Sequence, residues 1–317
     1  MQSFLSWMFR AFPLAVLLGL SGCGHPEVTT VTMPNGEEWP RVLRLAYSPS
    51  SEDPEGRLAQ YEHLARYLEQ RLGIAVNLIL SSSYGPNIEA MRAEKIDVVR
   101  GGSFTYMIAH EKAGAIPLVT RGTADGTPGI YSSILATPAT SDLHSIDDLR
   151  AQAEDLIIGF TDPASTSGHL VPRGYLESIG LVPETSFREV VFTQSHLNVI
   201  MTTVAGRVDV GGMSRSTYDR FVELERIQAE DLRILWESPP IPTGPWFARQ
   251  DLPPGLREAL TDAFLEMHAH DPALMERFRV QARRPEMVWL RADDAMWDDL
   301  RTIAYNLETM SLLQGEG

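Results

Sequence analysis

From Arg41 onward, short apolar runs alternate with longer amphipathic stretches. RVLRLAYSP, AVNLILSS, IDVVRGGS and AIPLVTRG carry the β-branched residues and near-alternation of strands, and RLAQYEHLARYLEQRL and PNIEAMRAEK between them carry a helical period. A second set follows. LIIGFTD, FREVVFTQ and VDVGGMS read as strands, with helices at HLVPRGYLESIG and HLNVIMTTVAGR. The chain from Pro253 reads as mostly helical. Strand–helix alternation predicts an α/β fold of parallel sheets with helices on both faces, and in such sheets ligands sit beyond the carboxyl ends of the strands.

The two sets repeat one another. Asn87 opens a helix that leads to Ile96-Asp97-Val98, and Thr105-Tyr106 follow the aspartate by eight and nine residues; Asn198, Val208-Asp209-Val210 and Thr217-Tyr218 keep the same offsets. Two similar lobes are therefore expected. IYSSILATP and LRILWESPPIPTGPWFAR flank the second set and are the expected crossings between lobes. Residues 41–130 with 245–317 then form lobe one, and residues 131–244 form lobe two. Each Asp is expected to end a helix and support a turn. The product is a hinged cleft between two doubly wound mixed sheets.

The N-terminus bears on the compartment. Arg10 precedes the apolar AFPLAVLLGL, which is too short to span a bilayer and has the length of a signal-peptide core. Leu20-Ser21-Gly22-Cys23 follows and resembles the lipobox of bacterial lipoproteins, in which cleavage before the cysteine leaves it lipid-bearing. Residues 1–22 are thus expected as a lipoprotein signal peptide, Cys23 as the lipidation site, and residues 23–40 as a tether, given Pro26, Pro34 and Gly36. The expected location is the periplasmic or cell-surface face of a membrane. Cys23 is the only cysteine, so the mature domain has no disulfide.

Composition excludes several function classes. A chain of 317 residues with 44% hydrophobic and 22% charged content folds as ordinary globular protein. Its formal net charge of −15 and lack of a Lys/Arg run argue against a nucleic-acid partner. No metal site and no cofactor are expected: His268 and His270 form an isolated pair, and neither Lys95 nor Lys112 follows a phosphate loop. No G-x-S-x-G elbow supports a hydrolase built from Ser165, His196 and Asp209.

The informative stretch is GFTDPASTSGHLVPRGYL, Gly159 to Leu176. Ser165, Thr166, Ser167 and Gly168 stand between an apolar strand and a helix, where hydroxyls and uncovered backbone N–H groups create an anion site. The same residues also satisfy a helix N-terminus that binds nothing.

AYSPS, GGSFTYMIA, DPASTSGHLVP, QSHLN and GRVDVGG together resemble the phosphonate-binding proteins of ABC importers, a group that includes phosphite and hypophosphite binders. The similarity runs from about Arg41 to Arg249, and its most specific element is the Ser-Thr-Ser-Gly turn with Pro172 after it. The resemblance implies a type II periplasmic-binding-protein fold closing on a small oxyanion, with Tyr47 and Tyr106 presenting hydroxyls from lobe one. Ser165, Thr166, Ser167 and His196 would supply donors from lobe two. Neutral donors of this kind hold a dianion without Lys or Arg. The partners implied are an ABC permease or, as an alternative, a membrane sensor, and no catalysis is expected. Two positions depart from the pattern. Members that take aminoalkylphosphonates carry a carboxylate where this chain has Gly211 to Ser216, and His169 replaces an aromatic or aliphatic residue. His169 is expected to be structural or exposed.

Overall fold

The computed structural model describes residues 29–47, 54–81 and 83–307. The expected signal peptide, Cys23, the first part of the expected tether and residues 48–50 of AYSPS lie outside the described residues.

Two mixed sheets organise the chain. The first runs edge to edge through Ala75–Leu80, Val42–Tyr47, Val98–Arg100, Trp246–Ala248, Ile116–Gly122 and Val288–Arg291. The second runs through Glu189–Phe192, Ile157–Phe160, Val210–Ser214, Ser133–Pro138 and Leu232–Glu237. In each, the first three strands are parallel and a fourth, arriving from a crossing, lies antiparallel to the third. The repeat seen in the sequence is thus a repeat of topology.

The repeated aspartates show its cause. Asp97 accepts the backbone N–H of Arg44 at 2.8 Å, and Asp209 accepts that of Ile157 at 2.7 Å. Each satisfies the N–H of its neighbouring strand, so the pair sets strand register instead of ending helices. Ser133–Pro138 is buried at every position, as befits a strand covered on both faces. Between the sheets, Ile130–Tyr131 pairs antiparallel with Ile241–Pro242, forming a two-stranded ribbon at the crossings.

The lobes also touch directly. Thr166 Oγ1 accepts the Phe104 N–H at 2.9 Å, the Thr105 hydroxyl donates to the Ala164 carbonyl at 2.9 Å, and Asp162 Oδ2 accepts the Tyr84 N–H at 3.2 Å. Ala164, Leu170 and Val171 of the second lobe share one apolar core with Phe104, Tyr106, Trp297 and Leu300. The last helix, Asp298–Asn306, packs against both Ser103–Ala113 and Val171–Ser178.

Two expectations need correction. The tether is folded in its second half: Thr30–Thr32 and Glu38–Pro40 form a hairpin, with Gly36 at φ 86° in the turn. Trp39 enters the first core, and Glu37 accepts both the Trp39 indole N–H at 2.9 Å and the Gly255 N–H at 3.1 Å. Pro34 and Gly36, read as linker residues, flank a turn instead. Secondly, the strand expected over IDVVRGGS ends at Arg100, and Ser103 already belongs to the helix Ser103–Ala113. The C-terminal region is mostly helical, as expected, and also contributes the strand Val288–Arg291, which pairs antiparallel with Ile116–Gly122. A four-residue strand is too short to show a period and depends on a partner far away in sequence. Among the described residues, no helix is long and apolar enough to cross a membrane.

Candidate anion-binding cleft

A cleft of about 1040 Å³ opens between the lobes. Lobe two lines it with Ser165 to Ser167, His196 and Ser214 to Thr217, lobe one with Tyr61, Tyr84 and Arg100 to Gly102, and the crossings with Tyr131 and Gly244.

After strand Ile157–Phe160 the chain turns and enters a π-helical turn, Thr166–Leu170, continued by helix Val171–Ser178. Ser165 caps it, accepting the Gly168 N–H at 3.1 Å. The amides of Thr166 and Ser167 open the turn, where the first N–H groups have no carbonyl of their own helix to meet. Close packing requires the glycine: a Cβ at Gly168 would lie 2.1 Å from Thr161 Oγ1. The Ser133 hydroxyl donates to the Ser167 carbonyl at 2.6 Å and holds the turn from the strand Ser133–Pro138. Tyr131 lies within hydrogen-bond reach of the Ser167 and Thr166 side chains, and burial raises its pKa, so it stays protonated as a donor.

His196 opens helix His196–Val204 after the Ser195 cap. Its Nδ1 accepts the Ser214 N–H at 3.1 Å, which leaves Nε2 to carry the ring proton. Burial lowers its pKa to about 4, so the ring is a neutral donor at physiological pH. A hydrolase triad is excluded, since Nδ1 meets an amide rather than a carboxylate and Asp209 serves the Ile157 N–H.

Ser165, Thr166, Ser167 and His196 are thus brought together on one wall. The tyrosines behave differently. Tyr47 is buried and stacks on Tyr61 with ring centroids 3.8 Å apart, so Tyr61 lines the cleft and Tyr47 stands behind it. Tyr106 points into the core shared by the lobes. Its ring packs on Trp297 at 4.9 Å and its hydroxyl donates to Asp294, which Arg301 also holds. Neither expected tyrosine lines the cleft, because the face of each element that meets the cleft is set by the packing of the lobes.

Arg100, Tyr61, Tyr84 and Tyr131 take part in the cleft and were missed. Arg100 left one cue: a charged residue closing the buried strand pair Val98-Val99, directly before two glycines. His169 is buried, its Nδ1 donates to the Pro163 carbonyl at 2.8 Å, and burial lowers its pKa to about 4, in keeping with a structural role. In the Gly211 to Ser216 segment, Arg215 pairs with Asp219 at 2.8 Å and Glu237 at 2.7 Å, and the Ser216 hydroxyl meets that of Ser214 at 2.9 Å. Among the described residues, no group of three or more His, Cys, Asp or Glu is placed to hold a metal ion.

Comparison with known proteins bears on the family and the fold. A family described as "ABC transporter, phosphonate, periplasmic substrate-binding protein" matches residues 47–286. The phosphonates-binding periplasmic protein of Escherichia coli (strain K12) is 27% identical over 251 residues, covering 78% of this chain and 73% of that protein. The crystal structure of a binding-protein component of an ABC phosphonate transporter from Pseudomonas aeruginosa superposes with a TM-score of 0.73 at 25% identity, covering 83% of this chain and 85% of that one. A methylphosphonate complex from Prochlorococcus marinus shares the fold, with a TM-score of 0.72 at 18% identity over 84% of this chain and 98% of that one.

Proposed function

This chain belongs to the family of periplasmic substrate-binding proteins of phosphonate ABC transporters, and from that premise we propose that it captures a phosphonate, or a related oxyanion such as phosphite, and delivers it to an ABC permease. The family consists of binding components, so the chain is not an enzyme. The observation that carries the reading is the neutral wall formed by the Thr166 and Ser167 amides, the Ser165 to Ser167 hydroxyls and the His196 Nε2–H. Fixed dipoles of this kind replace the hydration shell of a tetrahedral oxyanion, and hydrogen bonds to a charged acceptor are the stronger class.

The lobe boundaries at 130/131 and 244/245 belong to the same reading, supported by strand membership, with residues 292–307 clasping both lobes. So does lipid anchoring through Cys23, which would hold the protein beside its permease. Tyr47 supports the wall indirectly by backing Tyr61. Isothermal calorimetry of the mature, ligand-free protein against methylphosphonate, phosphite, phosphate and sulfate tests the proposal. Heat with methylphosphonate or phosphite and not with sulfate is expected. No heat with any of the four, from a folded sample, overturns it, and binding of phosphate alone reassigns the ligand.

A further inference from the structure

Arg100 closes strand Val98–Arg100 on the lobe-one side of the cleft. Its Nη1 donates to the Gly101 carbonyl and, at 3.4 Å, to the Pro245 carbonyl, and no carboxylate among the described residues pairs with it. Tyr61, Tyr84, Tyr131 and a second cation, Arg57, line the cleft with it. Burial disfavours its charged form and Arg57 adds to that penalty. Arg100 is half-buried, and a guanidinium partly withdrawn from water without a counter-ion is costly unless a partner arrives with the ligand.

The surroundings show the same bias. Eight arginines and two carboxylates, Asp219 and Glu276, line the cleft; of the arginines, Arg215 pairs with Asp219 and Glu237, Arg220 and Arg283 with Glu223, and Arg284 with Glu286, whereas Arg100 pairs with no described carboxylate. Asp219 is already engaged by Arg215 at 2.8 Å. The neutral wall and Arg100 lie on different lobes, and Tyr131 from the crossing lines the same cleft. A volume of about 1040 Å³ leaves room beyond a single tetrahedral head.

We propose that Arg100 receives a second anionic group of the ligand, so that the cleft selects a phosphonate bearing a carboxylate or a second phosphoryl group over a simple alkylphosphonate. This rests on the phosphonate reading above. The tetrahedral head sits on the Ser-Thr-Ser wall, and the second group meets the guanidinium, whose planar fork suits two-oxygen acceptors.

Calorimetry with four probes tests it: ethylphosphonate, phosphonoacetate, methylenediphosphonate and 2-aminoethylphosphonate. The wild type is expected to bind phosphonoacetate or methylenediphosphonate at least tenfold more tightly than ethylphosphonate, the stronger of the two identifying the second group, and 2-aminoethylphosphonate most weakly. Arg100→Gln should erase that preference, weakening phosphonoacetate or methylenediphosphonate at least tenfold more than ethylphosphonate, and Arg100→Lys, which keeps the charge and loses the fork, should retain part of it. Equal binding of all anionic probes by the wild type overturns the proposal and leaves the phosphonate reading intact. A loss in Arg100→Gln that is equal for ethylphosphonate and phosphonoacetate also overturns it, since Arg100 would then grip the head. Should none of the four bind to folded wild type, the phosphonate reading fails first and takes this proposal with it. Thermal melts by circular dichroism establish folding of each variant, and if neither variant folds the wild-type preference decides.

Discussion

Replacing His196 by asparagine separates two functions that the ring combines. Nδ1 accepts the Ser214 N–H at 3.1 Å, and Nε2–H is the donor left for the ligand. Asparagine keeps an acceptor near the Nδ1 position and removes the distal donor. The expected loss is therefore one hydrogen bond to a charged oxygen, about 1.5–3 kcal/mol, or roughly ten- to 150-fold in Kd. Folding stability should hardly change. His196→Ala, by contrast, also strands the buried Ser214 amide, adding a stability loss of about 1–3 kcal/mol. Calorimetry with methylphosphonate and urea unfolding of both variants measure the two effects separately. The protonation state is checked by following the His196 ring proton by NMR, which should titrate near 4 and not near 6.5. The reasoning fails if His196→Asn binds as the wild type does. It also fails if wild-type affinity rises between pH 7.5 and 5.5 while the variant, measured with the same ligand, does not follow, because the donor would then be an imidazolium.

Other outcomes follow from the same geometry. Tyr106→Phe removes the hydroxyl given to Asp294 and should cost about 0.5–1.5 kcal/mol in urea unfolding while leaving affinity unchanged within about twofold; a tenfold weaker Kd would put that hydroxyl in the cleft. Acid should destabilise the protein through His169: its pKa is about 4 when folded against an ordinary 6.5, so between those values the unfolded chain binds a proton that the native ring refuses. Stability should thus fall as pH drops, by about 1–3 kcal/mol from pH 6.5 to 4.5, and His169→Asn should flatten that slope in urea midpoints. A slope identical to wild type would show that the ring protonates without penalty. Ser216→Glu, in a segment without a carboxylate, should improve 2-aminoethylphosphonate relative to ethylphosphonate, and an unchanged ratio would mean that position 216 does not reach the ammonium. Cys23→Ser should release the protein from the membrane fraction, and equal solubility of both forms would exclude the lipid anchor.

Much of the outcome was local in origin and so legible in the residues. Alternation of apolar runs and amphipathic stretches identified the two strand–helix sets, because burial on both faces of a parallel sheet leaves that pattern wherever it occurs. The repeated Asp97 and Asp209 marked the two lobes, although their role as acceptors for Arg44 and Ile157 became visible only with strands side by side. The Ser165 to Gly168 turn was legible for the same reason: capping hydroxyls and a small residue act on amides within their own turn. Other features depended on which surfaces met. Tyr47 and Tyr106 carry side chains suited to a cleft, yet packing turned one behind Tyr61 and the other toward Asp294. Arg100 stands in the sequence as the end of a strand. Only where the lobes converge does it become a cleft-lining charge bonded to backbone carbonyls and paired with no described carboxylate. Val288–Arg291 and the hairpin at Trp39 likewise needed partners from remote parts of the chain. Periodicity and capping are written in neighbouring residues, whereas the composition of a cleft is a property of non-local contacts, which no window of sequence contains.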